Sequence, residues 1–287
     1  MNRSLIPALQ KDETLLEDIH RADSTGESFS VWWLGQSGFL LKWKDQHVLF
    51  DPYLSDSLTA KYAQTNKPHE RISEKVIDPG KLNFIDIVTS SHNHTDHLDA
   101  ETIIPILRNN PQVTFIIPEA NRQFVAERMK TDPKALIGLD DKKPIIVGPF
   151  TIHGIPSAHN EVDRDENGNP KYMGYVFEFG KWKIYHSGDT LYFVDMVRLL
   201  APFNLDLALL PINGNDPARG VAGNLDTRAA AELGFRINSK MVIPCHYDLF
   251  AFNTANPEDF ARIADQLSQP YKILKLGEKW NSNQIKG

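Results

Sequence analysis

The feature that most constrains this chain is a run of ligand-type side chains, His92-Asn93-His94-Thr95-Asp96-His97. It follows directly on an apolar stretch, Ile85 to Thr89, that reads as a buried strand. Three imidazoles and a carboxylate so close together repel one another if the rings are protonated, and they are costly to bury unpaired. Imidazole and carboxylate are also the natural ligands of a divalent metal, and a metal site needs several of them converging from one side. A fold that places a strand end at such a convergence meets the constraint.

In an extended segment, His92 and His94 point the same way, because side chains alternate along a strand. A turn at Thr95 then brings Asp96 and His97 to a second position nearby. One loop can supply two ligands to each of two metals, and further ligands must come from other strand ends. His159, Asp189 and His246 stand at such places, in Ser-Ala-His, Ser-Gly-Asp-Thr and Pro-Cys-His. Asp189 is the natural bridging carboxylate.

The other histidines read as packing or surface residues. His153 lies inside a predicted strand and ranks behind His159 as a ligand. His186 reads as a support of the Asp189 loop, and His20, His47 and His69 carry no site role. Cys245 reads as a small buried thiol. A nucleophilic triad is a poor reading, because Ser187 and Cys245 lack an evident base and orienting partner.

The remaining sequence predicts alternating elements. Helices are expected at 12–20, 100–108, 121–130, 193–200, 227–235 and 257–267. Strands are expected at 30–34, 39–43, 47–50, 85–89, 113–117, 145–147, 151–155, 172–179, 183–186, 205–210, 241–243 and 271–274. Asp51 to Lys81 is polar, contains Pro52, Pro68 and Pro79, and reads as one long functional loop. Hairpins mixed with strand–helix alternation predict an α/β protein of mixed sheets covered by helices. No linker divides the chain, so residues 1–287 read as one domain, with 1–28 as a helical N-terminal extension. Trp32, Trp33 and Trp43 read as core.

Composition narrows the partners. Of 287 residues, 41% are hydrophobic and 24% charged, which is enough for a sizeable core. The formal net charge of −6 argues against nucleic-acid binding, which wants a basic patch. The single cysteine excludes an intrachain disulfide and a thiolate zinc site. Neither a signal-peptide core nor a membrane-length apolar stretch is visible. The expectation is a soluble, cytoplasmic protein acting on a small, anionic molecule, with a homo-oligomer left open. Arg219, in the loop 215–220, is placed to meet an anionic group, and Asn215 and Tyr247 to offer substrate hydrogen bonds.

With its ordered later motifs, the His-x-His-x-Asp-His pattern resembles the metallo-β-lactamase superfamily over nearly the whole chain. Within it, Trp32-Trp33-Leu34-Gly35, Tyr185-His186-Ser187-Gly188-Asp189, Asn215-Asp216-Pro217-Ala218-Arg219-Gly220 and Val242 to Asp248 are similar to the L-ascorbate-6-phosphate lactonase branch. A related branch of small metal-dependent hydrolases matches too. Ser-Ala-His at His159 departs from the lactonase pattern and favours a full two-metal site. The resemblance implies a four-layer αββα sandwich with metals at the sheet edges. His92, His94 and His159 would hold one ion, Asp96, His97 and His246 the other, with Asp189 between them. Asp51, in Val-Leu-Phe-Asp-Pro, would support the metal loop. The implied ions are zinc or manganese, and the implied nucleophile is a bridging hydroxide oriented by Asp96. The expected reaction is hydrolysis of a small lactone, ester or phosphorylated sugar-like compound. The alternatives are phosphodiester hydrolysis on nucleic acid or phospholipid, and a non-catalytic metal-binding protein.

Overall fold

The computed structural model describes residues 4–218 and 223–285. Its apolar strands assemble into two mixed sheets. The N-terminal half contributes β1 (Ser30–Gly35), β2 (Gly38–Trp43), β3 (Gln46–Phe50), β4 (Ile87–Thr89), β5 (Thr114–Pro118) and β6 (Leu136–Leu139). The C-terminal half contributes β7 (Ile145–Val147), β8 (Phe150–Pro156), β9 (Met173–Phe179), β10 (Trp182–His186), β11 (Leu207–Pro211) and β12 (Val242–Cys245). A final strand, β13 (Lys279–Asn281), returns to pair with β1, giving the orders β13-β1-β2-β3-β4-β5-β6 and β12-β11-β10-β9-β8-β7.

Both sheets follow one plan. Consecutive strands first pair antiparallel, through short turns except for the long β8–β9 connection that carries His159, and then β3 to β6, and β10 to β12, pair parallel. Parallel pairing needs crossovers, and helices supply them. These are α3 (Ala100–Asn109) and α4 (Arg122–Met129) in the first half, and α5 (Met196–Leu200) and α6 (Thr227–Arg236) in the second, followed by α7 (Pro257–Leu267). Helices outside and two sheets inside make the αββα order. The inner faces share one hydrophobic cluster that includes Phe39, Phe50, Phe177 and Tyr185. That cluster also takes in Leu15 and Ile19 of α1 (Asp12–Arg21), so the N-terminal extension packs into the core.

Several expectations change. Asp51 to Lys81 is not a plain loop. It holds α2 (Ser57–Tyr62) and a 3-10 turn at Pro79–Lys81, because Leu58 finds a satellite cluster with Tyr53, Leu249 and Phe250. The strand expected at 271–274 reduces to a single bridge between Tyr271 and Val242. The chain then turns at Gly277, where φ is +77°, and the true strand is β13. Strand β6 escaped the sequence reading because Leu136–Leu139 is short and contains Gly138. The helix expected at 193–200 begins only at Met196. Among the described residues, no helix is long and apolar enough to cross a membrane.

Candidate metal centre

Strand β4 is buried and parallel to both neighbours, so the chain beyond it emerges at a sheet edge where parallel strands end. The segment 91–98 is a series of bends rather than an extended run. It is pinned by its own backbone and by its surroundings. Ser90 Oγ donates to His92 O at 2.9 Å, and Leu98 N to His94 O at 2.8 Å. Arg128 donates to Asn93 O at 2.7 Å. Asp99 then caps α3, accepting from Thr102 N at 3.0 Å.

The bends bring every expected ligand together. His92, His94, His159 and Asp189 form one group, and Asp96, His97 and His246 another. Within each, the ligand atoms lie within 4.8 Å of one another. Each group draws on both sheets: the 92–97 loop follows β4, His159 follows β8, Asp189 follows β10 and His246 follows β12. Asp189 spans the two groups. Its Oδ1 lies 3.2 Å from His97 Nε2 and 3.3 Å from His246 Nε2, while its Oδ2 faces His159 Nε2 at 3.9 Å.

Hydrogen bonds behind the ligands fix which nitrogen faces inward. Asp51 is fully buried and accepts from Ser91 N at 2.9 Å and from His97 Nδ1 at 2.7 Å. It also accepts a short bond from Ser91 Oγ. With its hydrogen committed, Ser91 Oγ accepts from His92 Nδ1 at 2.9 Å. Both rings therefore turn Nε2 to the centre. This is the arrangement by which outer-shell partners orient metal-binding histidines. The role expected for Asp51 is thus what its contacts provide.

The donor set fits a divalent cation. His92 Nε2, His97 Nε2 and Asp189 Oδ1 are buried and have no hydrogen-bond partner. Buried polar atoms without partners are costly, and convergence of several on one point is the signature of an ion site. Burial and neighbouring charge act differently on the rings. Burial, then the neighbouring His97 and His94, hold the His92 pKa well below its ordinary value, so the ring keeps its lone pair. Burial would lower His97 and His246 too, but the carboxylates of Asp189 and Asp96 outweigh it. His97 is held well above its usual range and His246 is pushed up to about 9, so a cation would take the place of the protons that balance the two carboxylates. Burial works against the charged forms of Asp96 and Asp189, yet His97 and His246 keep both carboxyls well below the usual range.

Two glycines permit this closeness. Gly188 has φ +57°, and a Cβ there would come within 2.4 Å of Ser91 Cβ. Gly223 has φ +86°, and a Cβ there would lie 2.4 Å from His159 Nδ1.

Other expectations fare differently. His186 was expected to support the Asp189 loop, but its contacts go elsewhere: Nε2 donates to Ser37 O in the β1–β2 turn at 2.9 Å, and its ring stacks on Phe50. His153 pairs with Glu178 at 2.8 Å and belongs to neither ligand group. Tyr247 is buried: its hydroxyl donates to Leu274 O at 2.6 Å and its ring packs on Trp33, so it does not border the cleft. Asn215 is exposed and away from the cleft wall. Arg219 lies outside the described residues.

Two residues were missed. Gln36 is fully buried, and its Nε2 donates to Asp96 Oδ2 at 2.8 Å. A polar residue at the turn between two largely apolar strands was the available signal. His69, read as a packing residue, borders the cleft that opens over His94 and Asp96.

Fold and ligand set define a metal-dependent hydrolase, and the comparisons agree. The chain belongs to the metallo-β-lactamase superfamily: the beta-lactamase superfamily domain matches residues 30–246. More particularly, it is 31% identical over 257 residues to a UPF0173 metal-dependent hydrolase of Thermoplasma acidophilum, covering 88% of this chain and 98% of that one. Among solved structures it is similar to Igni18, a metallo hydrolase of Ignicoccus hospitalis, with TM-score 0.64 and 20% identity over 88% of this chain and 98% of that one. It is also similar to the isothiocyanate hydrolase from Delia radicum gut bacteria, with TM-score 0.70 and 17% identity over the same shares. At these identities the two structures speak for the fold.

Proposed function

We propose that the chain hydrolyses a small lactone, ester or phosphorylated sugar-like compound at a centre of two divalent ions, zinc or manganese. His92, His94 and His159 would hold one ion, and Asp96, His97 and His246 the other. The observation that carries this reading is the placement of Asp189, with one oxygen toward each ligand group. When bound, such ions supply a water that ionises near neutral pH and polarise a carbonyl or phosphoryl oxygen.

The protein's own groups supply orientation and exclude alternatives. Asp51 and Ser91 hold the two imidazoles in the tautomer that faces inward. Gln36 fixes the Asp96 carboxylate beside the cleft, where it would orient the attacking water and relay its proton to the leaving oxygen. Neither Cys245 nor Ser187 is placed as a nucleophile. Burial, then the charge of Asp189, pushes the Cys245 thiol well above its usual range. Ser187 Oγ is turned away to donate to Gly188 O at 2.7 Å. The cleft holds about 370 Å³, a size suited to a small molecule.

The test is elemental analysis of purified protein joined to a hydrolysis screen of lactones, carboxylate esters and phosphodiesters after loading with zinc or manganese. Two tight ions and turnover of one ester class are expected. Less than one tight ion per chain, with no turnover after loading, would overturn the reading.

A further inference from the structure

One wall of the cleft takes no part in holding metal. It is built from the satellite cluster of Tyr53, Leu58, Leu249 and Phe250, with Tyr62 and Phe252 packed against it. Two segments far apart in sequence make it. Ile72 N donates to Leu249 O at 2.9 Å, and Ala251 N to Glu70 O at 3.0 Å, so residues 57–72 and 249–253 form one cap. Thr59 Oγ1 ties α2 to the same cap by donating to His69 O at 2.7 Å.

The cap is aromatic inside and cationic at its rim. Tyr62 stacks on His69 with centroids 4.1 Å apart, and Phe252 meets His69 edge-on at 4.6 Å. These three rings and Phe250 border the same cleft as His94, Asp96 and His159. Lys61 Nζ lies 5.2 Å from the Tyr62 ring centre, and Lys67 Nζ 4.7 Å from that of Phe252. Both lysines border the cleft. Among its described lining residues, the only carboxylates are Asp96 and Asp189, both already in the ligand groups. On a chain of formal net charge −6, a cleft rim without its own acids is a local arrangement. A cleft lined by one sign of charge draws in the opposite sign, and aromatic faces favour a flat apolar body.

We propose that the cap is the substrate-recognition site, and that it selects a small organic anion with a flat apolar face, such as a phenyl ester that carries a free carboxylate on the ring. Lys61 and Lys67 take the anionic group, Tyr62, His69 and Phe252 take the flat face with the buried Phe250 behind them, and the scissile bond is left toward the metal-ligand side. This inference rests on the hydrolase reading above.

The test compares 4-carboxyphenyl acetate with phenyl acetate on metal-loaded enzyme at matched metal content. The wild type should favour the carboxylate by kcat/KM, chiefly through KM. Each of Lys61→Gln and Lys67→Gln should shrink that ratio by about two- to fivefold, the scale of an exposed charge pair. Phe252→Ala should lower kcat/KM for both aryl esters by about three- to tenfold. An equal ratio in wild type and lysine variants overturns the proposal. If neither ester is hydrolysed, ester chemistry fails separately, and calorimetry with 4-hydroxybenzoate against phenol reads the cap directly. Tighter binding of the carboxylate that is lost in the lysine variants supports the proposal, and equal binding overturns it.

Discussion

Replacing Asp51 by asparagine keeps the side chain's size while exchanging one acceptor oxygen for a donor. In the wild type, Oδ2 accepts from His97 Nδ1 and from Ser91 Oγ, and Oδ1 accepts from Ser91 N. Asparagine has two orientations, and both are wrong. If its amide nitrogen takes the Oδ2 position, His97 must present a bare Nδ1, which moves its proton to Nε2. That nitrogen is the one facing the ligand group, and a protonated Nε2 cannot bind a metal. If the amide nitrogen takes the Oδ1 position, it meets the buried Ser91 N–H donor to donor, at about 1–3 kcal/mol for the unsatisfied group. Outer-shell changes of this kind weaken metal binding by about 10- to 100-fold, which converts to about 1.4–2.7 kcal/mol. Asp51→Ala is a poorer probe, because it leaves the donors of Thr89, Ser91 and His97 facing nothing. The assay is competitive titration of zinc and of manganese against a chelator, with urea unfolding of the metal-free protein as a control. The expected result is weakened binding, largest at the group containing His97. Binding as tight as wild type, with the fold intact, would refute the tautomer reasoning.

His94 is the exposed member of its group, so His94→Ala should change stability by only about 0.5 kcal/mol. It should remove about 100-fold or more of the activity, since it deletes a ligand rather than its support; thermal melts and turnover decide it. Gly223→Ala should displace His159, because the new Cβ has no room and φ is +86°; zinc stoichiometry should fall, and unchanged binding would contradict the close approach. Burial opposes the charge of Asp18, but bonds from Lys279, Gln10 and Trp32 outweigh it and set its pKa below the ordinary value. That stabilisation is complete above the unfolded pKa of about 3.9 and is lost as pH falls through the lower folded value. Urea midpoints measured from pH 5 to pH 2 should therefore drop less steeply in Asp18→Asn than in wild type.

The ligands could be read from the sequence because metal chemistry concentrates rare residue types at strand ends. Four lie in one loop, and the other three each end a recognisable apolar run. Asp51 showed itself only through the family resemblance of Val-Leu-Phe-Asp-Pro. The cap did not show itself. Tyr62, His69, Phe250 and Phe252 are ordinary packing residues in sequence, and their meeting depends on pairing between residues about 180 positions apart. Tyr247 misled in the opposite way: adjacency to His246 suggested the cleft, but His246 has φ +64°, and the next side chain turns into the core. Strand β13 was missed because its partner is β1, at the other end of the chain.

Each ligand group takes side chains from both sheets, so a bound ion does more than serve chemistry. It is a reversible cross-link between the two halves of the polypeptide. Binding to the native state alone adds about 4.1 kcal/mol of stability per ion when free metal is a thousandfold above Kd. The seam between the sheets is then as firm as the local metal supply allows. Starvation for metal would silence the centre and loosen that seam in one event, and the lifetime of the folded chain would follow metal availability as closely as its turnover does.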